Sequence, residues 1–391
     1  MANAGIRHYL DFNASAPLLP EARAAIVEAL DVWGNPSSVH ADGRKAKAIV
    51  QNARRALAAL VNTKQEHVVF TSSATEAAST LLSPAYSFGR SPLRVSKLYR
   101  CGAEHPCILN GGRFDTGDTV TLPIHDNGLL DLDSLGEALS RHVRLAGTPL
   151  VAVHWANNET GVIQPVAEIA RIVKQYGGIL VVDAVQALGR VDIDLSQDVG
   201  DFVILSSHKI GGPKGAGAIV AASDMVMPMP LIAGGGQERG HRGGTEAVQA
   251  IAGFGAAAEV AARSKARVAE LSVKRDRLEA AILELAPDAV IHGRTAPRLA
   301  NTTFFSIPGI KAETAQIAFD LAGIAVSAGS ACSSGKVGPS HVLKAMGTES
   351  EDGAIRVSFG LSTPESAYSE FEAASSKIVA RSRGEKRLKR A

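Results

Sequence analysis

Short runs rich in β-branched residues recur along the chain, separated by longer Ala-rich or amphipathic stretches, and this alternation constrains the fold more than any other feature. The runs HVVFT (67–71), PLVAVH (149–154), ILVV (179–182), DFVIL (201–205) and AGAIVA (216–221) carry almost no polar interruption, so each is expected to be a strand buried on both faces. Between them, stretches such as 40–61 and 165–176 have the spacing of helices. Strands and helices in alternation are joined by right-handed crossovers into a mostly parallel sheet flanked by helices, an α/β architecture. Around residue 253 the pattern changes to one long helix, FGAAAEVAARSKARVAELSVKRDRLEAAILELA, followed by a shorter α+β stretch. That change, in a chain of 391 residues, predicts a large domain and a smaller one connected by the long helix.

Charge excludes a polyanion-binding body. Lys and Arg number 41 against 39 Asp and Glu, so no global basic field exists and nucleic-acid binding is not expected. The bases concentrate at the end, where Arg381, Arg383, Lys386, Arg387, Lys389 and Arg390 face a single acid, Glu385; residues 381–391 therefore read as a disordered, solvated basic tail. Cys101, Cys107 and Cys332 are too few to staple a chain of this size, which points to a reducing compartment. MANAGIRHYLDFNASAP lacks the pattern of a secretory signal, and no run of membrane-spanning length occurs, so the expected location is the cytoplasm with no membrane contact.

Several residues can carry chemistry. Lys209, in SSHKIGGPKGAGAI, follows a buried-type strand in a Gly-rich loop; it is either a solvated loop lysine or a Schiff-base lysine for pyridoxal phosphate. In VVFTSSATEAAS a strand runs into a helix start, where Ser73 and Glu76 have capping-box spacing and the free N–H groups suit a phosphate equally well. Thr75 adds a hydroxyl there. Asp183, at the end of ILVVDAVQALG, is either a loop cap or the partner of a pyridinium nitrogen, with Gln186 three residues on. His105 can stack on an aromatic ring and Asn158 can bond a ring oxygen. Cys332, in SAGSACSSGKVGPSH, has little around it to pack against and reads as an accessible thiol in a mobile loop. Cys101, His105 and Cys107 lack a fourth ligand for zinc, so no metal site is expected.

These residues fall within an ordered set of strings: LDFNASAP (10–17), GNPSSVHADGR (34–44), EHPCIL (104–109), NNETG (157–161), VDAVQ (182–186), SSHKIGGPKG (206–215), RGGTEAV (242–248), SAGSACSSG (327–335) and IRVSFG (355–360). The set covers nearly all the chain except the basic tail and resembles the NifS/IscS-type cysteine desulfurases of the class-V aminotransferase group, pyridoxal-phosphate enzymes of fold type I. The resemblance implies a large cofactor-binding domain over 14–255, a smaller one built from 1–13 and 256–380, and a homodimer that converts L-cysteine to L-alanine and leaves the sulfur on Cys332 as a persulfide. From there the sulfur would pass to an acceptor protein, an iron–sulfur scaffold or a thiolation carrier, with Cys332 transiently contacting a nascent iron–sulfur cluster. It implies that Lys209 bonds the cofactor and then moves the substrate α-proton. His105 stacks on the cofactor ring and serves in acid–base steps, Asp183 holds the ring nitrogen, and Gln186 and Asn158 lie at the phenolic oxygen. Ala74, Thr75, Ser206 and His208 form the phosphate cradle, joined by Thr245 of the neighbouring subunit. Arg356, Asn35 and Asn158 grip the substrate carboxylate. Departures from the family pattern are Ser73, where Gly or another small residue is usual, Gly243, where Ser is frequent, and Leu361, where a larger or basic residue is common. Another pyridoxal-phosphate reaction on the same fold, selenocysteine lysis or transamination, is the alternative, and Cys332 is the residue that separates the two.

Overall fold

The computed structural model describes residues 7–197, 199–329, 340–348 and 351–388. Its main sheet has nine strands. From one edge the order is Val226–Pro228, Ala85–Phe88, Ser91–Cys101, Thr148–His154, Ile179–Asp183, Phe202–Ser206, Gly217–Ala221 and Val68–Thr71, while Thr119–Leu122 pairs with Ser91–Cys101 off this path. The central strands from Ser91–Cys101 to Phe202–Ser206 run parallel, and Gly217–Ala221 is antiparallel to both of its neighbours. All five strands read from the sequence are present, with ends within one residue of expectation.

Side-chain alternation explains why those runs are apolar throughout. Val151, Val153, Leu180 and Val182 enter a core shared with the helices Ala41–Leu60 and Val248–Ala269. Leu150, Ala152, Ile179 and Val181 point the other way, into a core shared with the helix Ala74–Leu81. Each fully buried Val, Leu or Ile contributes about 1.5–3 kcal/mol, so a polar residue on either face would forfeit that amount.

A second, four-stranded antiparallel sheet is formed by Val290–Ile291, Thr302–Ser306, Ile355–Ser358 and Ser327–Ala328. It has a core of its own that includes Leu278, Ile282, Phe305, Phe319 and Phe371, with the rings of Phe319 and Phe371 stacked at 5.0 Å. His8–Tyr9 pairs in parallel with Ile324–Ala325, and Leu10 is buried in this same core. The chain then crosses to the large sheet at residues 11–14.

Two expectations change. The long helix is two helices, Val248–Ala269 and Leu271–Leu285, which meet at Glu270. The first packs against Pro20–Leu30 and Ala41–Leu60, while Leu278 and Ile282 of the second enter the smaller core, so the break lets one chain segment serve two packing surfaces. The tail is not wholly a detached arm, because the last helix runs from Glu365 to Leu388. Val379 is buried, Arg383 pairs with Asp288 at 3.1 Å, and the Ser382 hydroxyl donates to the Gly309 carbonyl, so packing carries the helix past the point where composition changes. Among the described residues no helix is long and apolar enough to cross a membrane.

One buried ion pair fixes the loop before Thr245. Arg54 meets Glu238 in a bidentate pair at 2.8 and 2.6 Å, and Glu238 also accepts the Phe70 N–H at 2.8 Å. Either charge alone at that depth would cost about 3–5 kcal/mol. The pair holds Glu238 and Arg239 in left-handed backbone at φ 46° and 57°, a conformation that non-glycine residues keep only when their surroundings impose it.

Candidate active site

Ligands of open α/β sheets sit outside the carboxyl ends of the parallel strands, and here those ends surround a cavity of about 380 Å³. Ala74, Thr75, His105, Asn158, Asp183, Gln186, Ser206, His208 and Lys209 line it. They come from five separate stretches of sequence and converge because their strands lie side by side.

Lys209 ends a single turn, Ser207–Lys209, that follows the strand Phe202–Ser206. Gly212 N–H bonds back to the Ser207 carbonyl at 3.0 Å, and Gly211 takes φ +84°, which closes the turn. The Lys209 Nζ donates to the carbonyl oxygens of Asn13 at 2.7 Å and Ala14 at 3.0 Å. His105 precedes the short helix Pro106–Leu109, and its Nδ1 accepts the Cys107 N–H at 3.2 Å, which leaves the ring hydrogen on Nε2. Burial, with Lys209 and His341 adding positive charge, pushes His105 down to about 4, so the ring is neutral at physiological pH.

Asp183 accepts the Val185 N–H at 2.9 Å through Oδ1. Burial, with Glu104 adding negative charge, pushes its carboxyl up to about 6 even though the Val185 N–H and the Lys209 charge oppose the shift. A carboxylate held this way in an otherwise apolar strand end suits a cationic N–H partner. Gln186 donates to the Asn13 carbonyl at 2.9 Å and accepts from Arg190.

At the helix start the Ser73 hydroxyl accepts the Glu76 N–H at 3.1 Å, as its spacing predicts. The Glu76 carboxylate reaches the Ser72 N–H at 2.8 Å and Arg242 at 3.0 Å. Capping therefore accounts for the Ser73–Glu76 spacing, and the same helix start still borders the cavity. A Cβ on Gly217 would lie 2.5 Å from the Ser73 carbonyl carbon, so only glycine lets the strand Gly217–Ala221 come this close to the loop. His208 Nδ1 lies 3.2 Å from the Ser15 hydroxyl, and burial beside Lys209 and Lys214 pushes this ring down to about 4.

Arg356 stands just beyond the cavity, 2% exposed, donating to the Asn158 carbonyl at 2.9 Å, to Asp11 at 2.7 Å and to Ser327 at 3.1 Å. Asn35 and Thr245 are exposed and do not line the cavity. Cys332 lies outside the described residues. Of the segment around it, Gly329 N–H bonds the Ala354 carbonyl at 3.0 Å on one side. On the other side the Ser340 hydroxyl donates to Glu159, and His341 Nε2 donates to the Glu104 carbonyl at 2.8 Å, one residue from His105.

Sequence reasoning gave no role to Asn13, which is 1% exposed and is a hub of this site. Its carbonyl accepts from Lys209 and Gln186, its Oδ1 accepts from Arg190 at 2.9 Å, and its Nδ2 donates to Thr302 at 3.0 Å. Its place in the LDFNASAP string was the available signal for it, and the i, i+4 spacing from Gln186 was the one for Arg190.

The class-V aminotransferase family profile matches residues 8–368. The chain belongs to that family, among its NifS-type cysteine desulfurases. A cysteine desulfurase of Trichormus azollae is 39% identical over 344 residues, covering 87% of this chain and 84% of its own length. One from Cereibacter sphaeroides is also 39% identical, with 90% of each chain covered. The crystal structure of a NifS-like protein from Rickettsia africae, 31% identical, superposes with a TM-score of 0.82 over 95% of this chain and 99% of its own. Enzymes of this class-V group use pyridoxal phosphate, and the cavity fits that group on its own terms: an amine, a buried carboxylate with a raised pKa and a helix start brought close by Gly217.

Proposed function

We propose that the protein is a pyridoxal-phosphate-dependent cysteine desulfurase that converts L-cysteine to L-alanine and retains the sulfur on Cys332. The observation that carries this reading is the convergence of Lys209, Asp183, His105 and the Ser73–Thr75 helix start on one cavity. Asp183 would hold the ring nitrogen, His105 would cover the ring face, and Ala74, Thr75, Ser206 and His208 would hold the phosphate. When bound, the cofactor supplies an electron sink that acidifies the substrate α-carbon and weakens its C–S bond.

The chain's own groups supply the rest. Lys209, whose Nζ bonds the Asn13 and Ala14 carbonyls in the cofactor-free site, takes the α-proton at Nζ. Arg356, fixed by Asp11, Ser327 and the Asn158 carbonyl, offers its guanidinium to the substrate carboxylate, with Asn158 beside it. The Cys332 thiolate attacks the substrate sulfur, so the S–S bond forms as the C–S bond breaks. The electron pair and a proton remain with the carbon, which leaves as alanine. In balance, cysteine plus one thiol gives alanine plus one persulfide.

Thr245 is assigned to the site of a second copy, so the functional unit is a homodimer, and Asn35 is assigned with Arg356 and Asn158 to the substrate carboxylate. Trp33 and Val39, 85% and 88% exposed, flank Asn35, and the Ile232 carbonyl bonds the Gly243 N–H near Thr245 in another partly apolar exposed stretch. The persulfide passes to an acceptor protein, an iron–sulfur scaffold or thiolation carrier, in the cytoplasm.

A single-turnover experiment without reductant tests this function. Purified protein given L-cysteine is expected to release one alanine and hold one persulfide per chain, with both lost in Cys332→Ala. Equal alanine from Cys332→Ala would favour the other reactions of this fold, transamination or selenocysteine lysis. An active monomer in sedimentation at assay concentration would remove the second copy from the reading.

A further inference from the structure

Behind Asp183 lies a buried pair that the proposed reaction does not use. The strands Thr148–His154 and Ile179–Asp183 run parallel with His154 opposite Asp183. The backbone N–H of His154 and its ring Nδ1 both donate to Glu104 Oε1, each at 2.7 Å. Glu104 is fully buried, and its other oxygen has no hydrogen-bond partner among the described residues.

Gln164 decides how the ring meets this carboxylate. Its Oε1 accepts the Leu130 N–H at 2.9 Å and its Nε2 donates to the Gly128 carbonyl at 2.8 Å, so its orientation is set by backbone on both sides. The second amide hydrogen points at His154 Nε2, 3.2 Å away, which must accept it. Glu104 and the Cys101 side chain push His154 upward against its burial, but the Gln164 amide hydrogen aimed at Nε2 leaves that nitrogen no place for a second proton, and on this geometry the ring meets Glu104 as a neutral Nδ1–H donor. The Cys101 thiol lies within 4.8 Å of both groups, and burial pushes it up, so it stays uncharged. Glu104 is then the only net charge in this cluster, and an anion with a bare oxygen in a protein core is costly to keep.

We propose that Glu104, presented through His154, is a positioning residue for Asp183, a fixed negative charge behind that carboxylate which strengthens its hold on a protonated ring nitrogen in the cavity. The proposal rests on the pyridoxal-phosphate reading of the site. The charged and titratable groups that bear on Asp183 are Glu104, His154 and Lys209, and only Glu104 adds negative charge. With Glu104 behind it, Asp183 binds a ring N–H more firmly than a lone strand-end carboxylate would.

The test is Glu104→Gln, which keeps the shape and removes the charge, in the cofactor-loaded protein. The pH midpoint of the bound cofactor's visible absorbance is expected to fall by roughly one unit, and the cofactor to dissociate about tenfold faster, while Glu104→Asp recovers part of both. A Glu104→Gln protein with the wild-type pH profile and wild-type dissociation rate overturns the proposal. If Glu104→Gln does not fold, long-range proton–nitrogen NMR on histidine-labelled wild type reads the His154 ring directly. The neutral Nδ1–H form supports the proposal, and a doubly protonated ring near neutral pH overturns it. A wild-type protein that takes up no pyridoxal phosphate is a different result, and it overturns the reading of the site itself.

Discussion

Lys209→Ala is expected to lower turnover of cysteine by roughly a hundred- to ten-thousandfold while leaving the protein folded. The fold survives because the lysine's structural part is small: its Nζ bonds two carbonyls, of Asn13 and Ala14, each worth about 1 kcal/mol. Gln186 still donates to the Asn13 carbonyl after the change. The chemistry does not survive, since among the described residues no other amine lines the cavity except that of Lys214, on the far side of the Gly-rich turn. Lys209→Arg keeps the charge but presents a guanidinium that gives up no proton, and should be as inactive as alanine. Turnover assays with circular dichroism on the same samples check both variants. Wild-type turnover by Lys209→Ala would end the assignment.

Asp183→Asn is expected to act in opposite directions on stability and activity. Burial pushes the folded carboxyl up to about 6 from an ordinary 3.8. The folded state thus holds this proton more tightly than the unfolded chain does. The stability linked to it is complete below about pH 4 and is lost as the pH rises through about 6. Across that window the loss amounts to about 3 kcal/mol. Asparagine carries no charge to bury, so the cofactor-free variant should be more stable than wild type near pH 8, by up to that amount, and the gap should close below about pH 4. Urea denaturation of the cofactor-free proteins at the two pH values measures it. Turnover should fall roughly a hundredfold or more, because the variant cannot balance a cationic ring nitrogen. A variant less stable than wild type at pH 8 would mean that Asp183 is paired in the cofactor-free protein. The strain is kept for function, which is a common trade at binding sites.

Much of the large sheet was legible because its central strands are buried on both faces and so read as apolar runs. The smaller sheet was not, since two of its strands are only two residues long, too short to show a period. Asn13 was hidden because its role depends on where its carbonyl ends up rather than on its side-chain type. Glu104 and His154 were hidden too, because fifty residues separate them and only the neighbouring strands bring them together. By composition the basic run reads as a solvated arm, and the helix Glu365–Leu388 runs into it, with Arg383 paired to Asp288. Lys209, Asp183 and the Ser73 helix start were readable because each stands at the end of a strand that could itself be read.

The segment that holds Lys209 also sets a timetable. Asn13 and Ala14 supply the lysine's acceptors, and they are positioned by residues 8–12, which belong to the smaller lobe. Asp11 pairs with Arg356 and Asn13 N–H bonds Ser358, contacts that span 345 residues of chain. A ribosome making this protein emits Asn13 long before the strand it docks on exists, so the large sheet can form while the amine's seat is still missing. Contacts of such sequence separation form late. The cavity around Lys209 is therefore expected to be complete only after the far end of the chain has been built and has come back to its start.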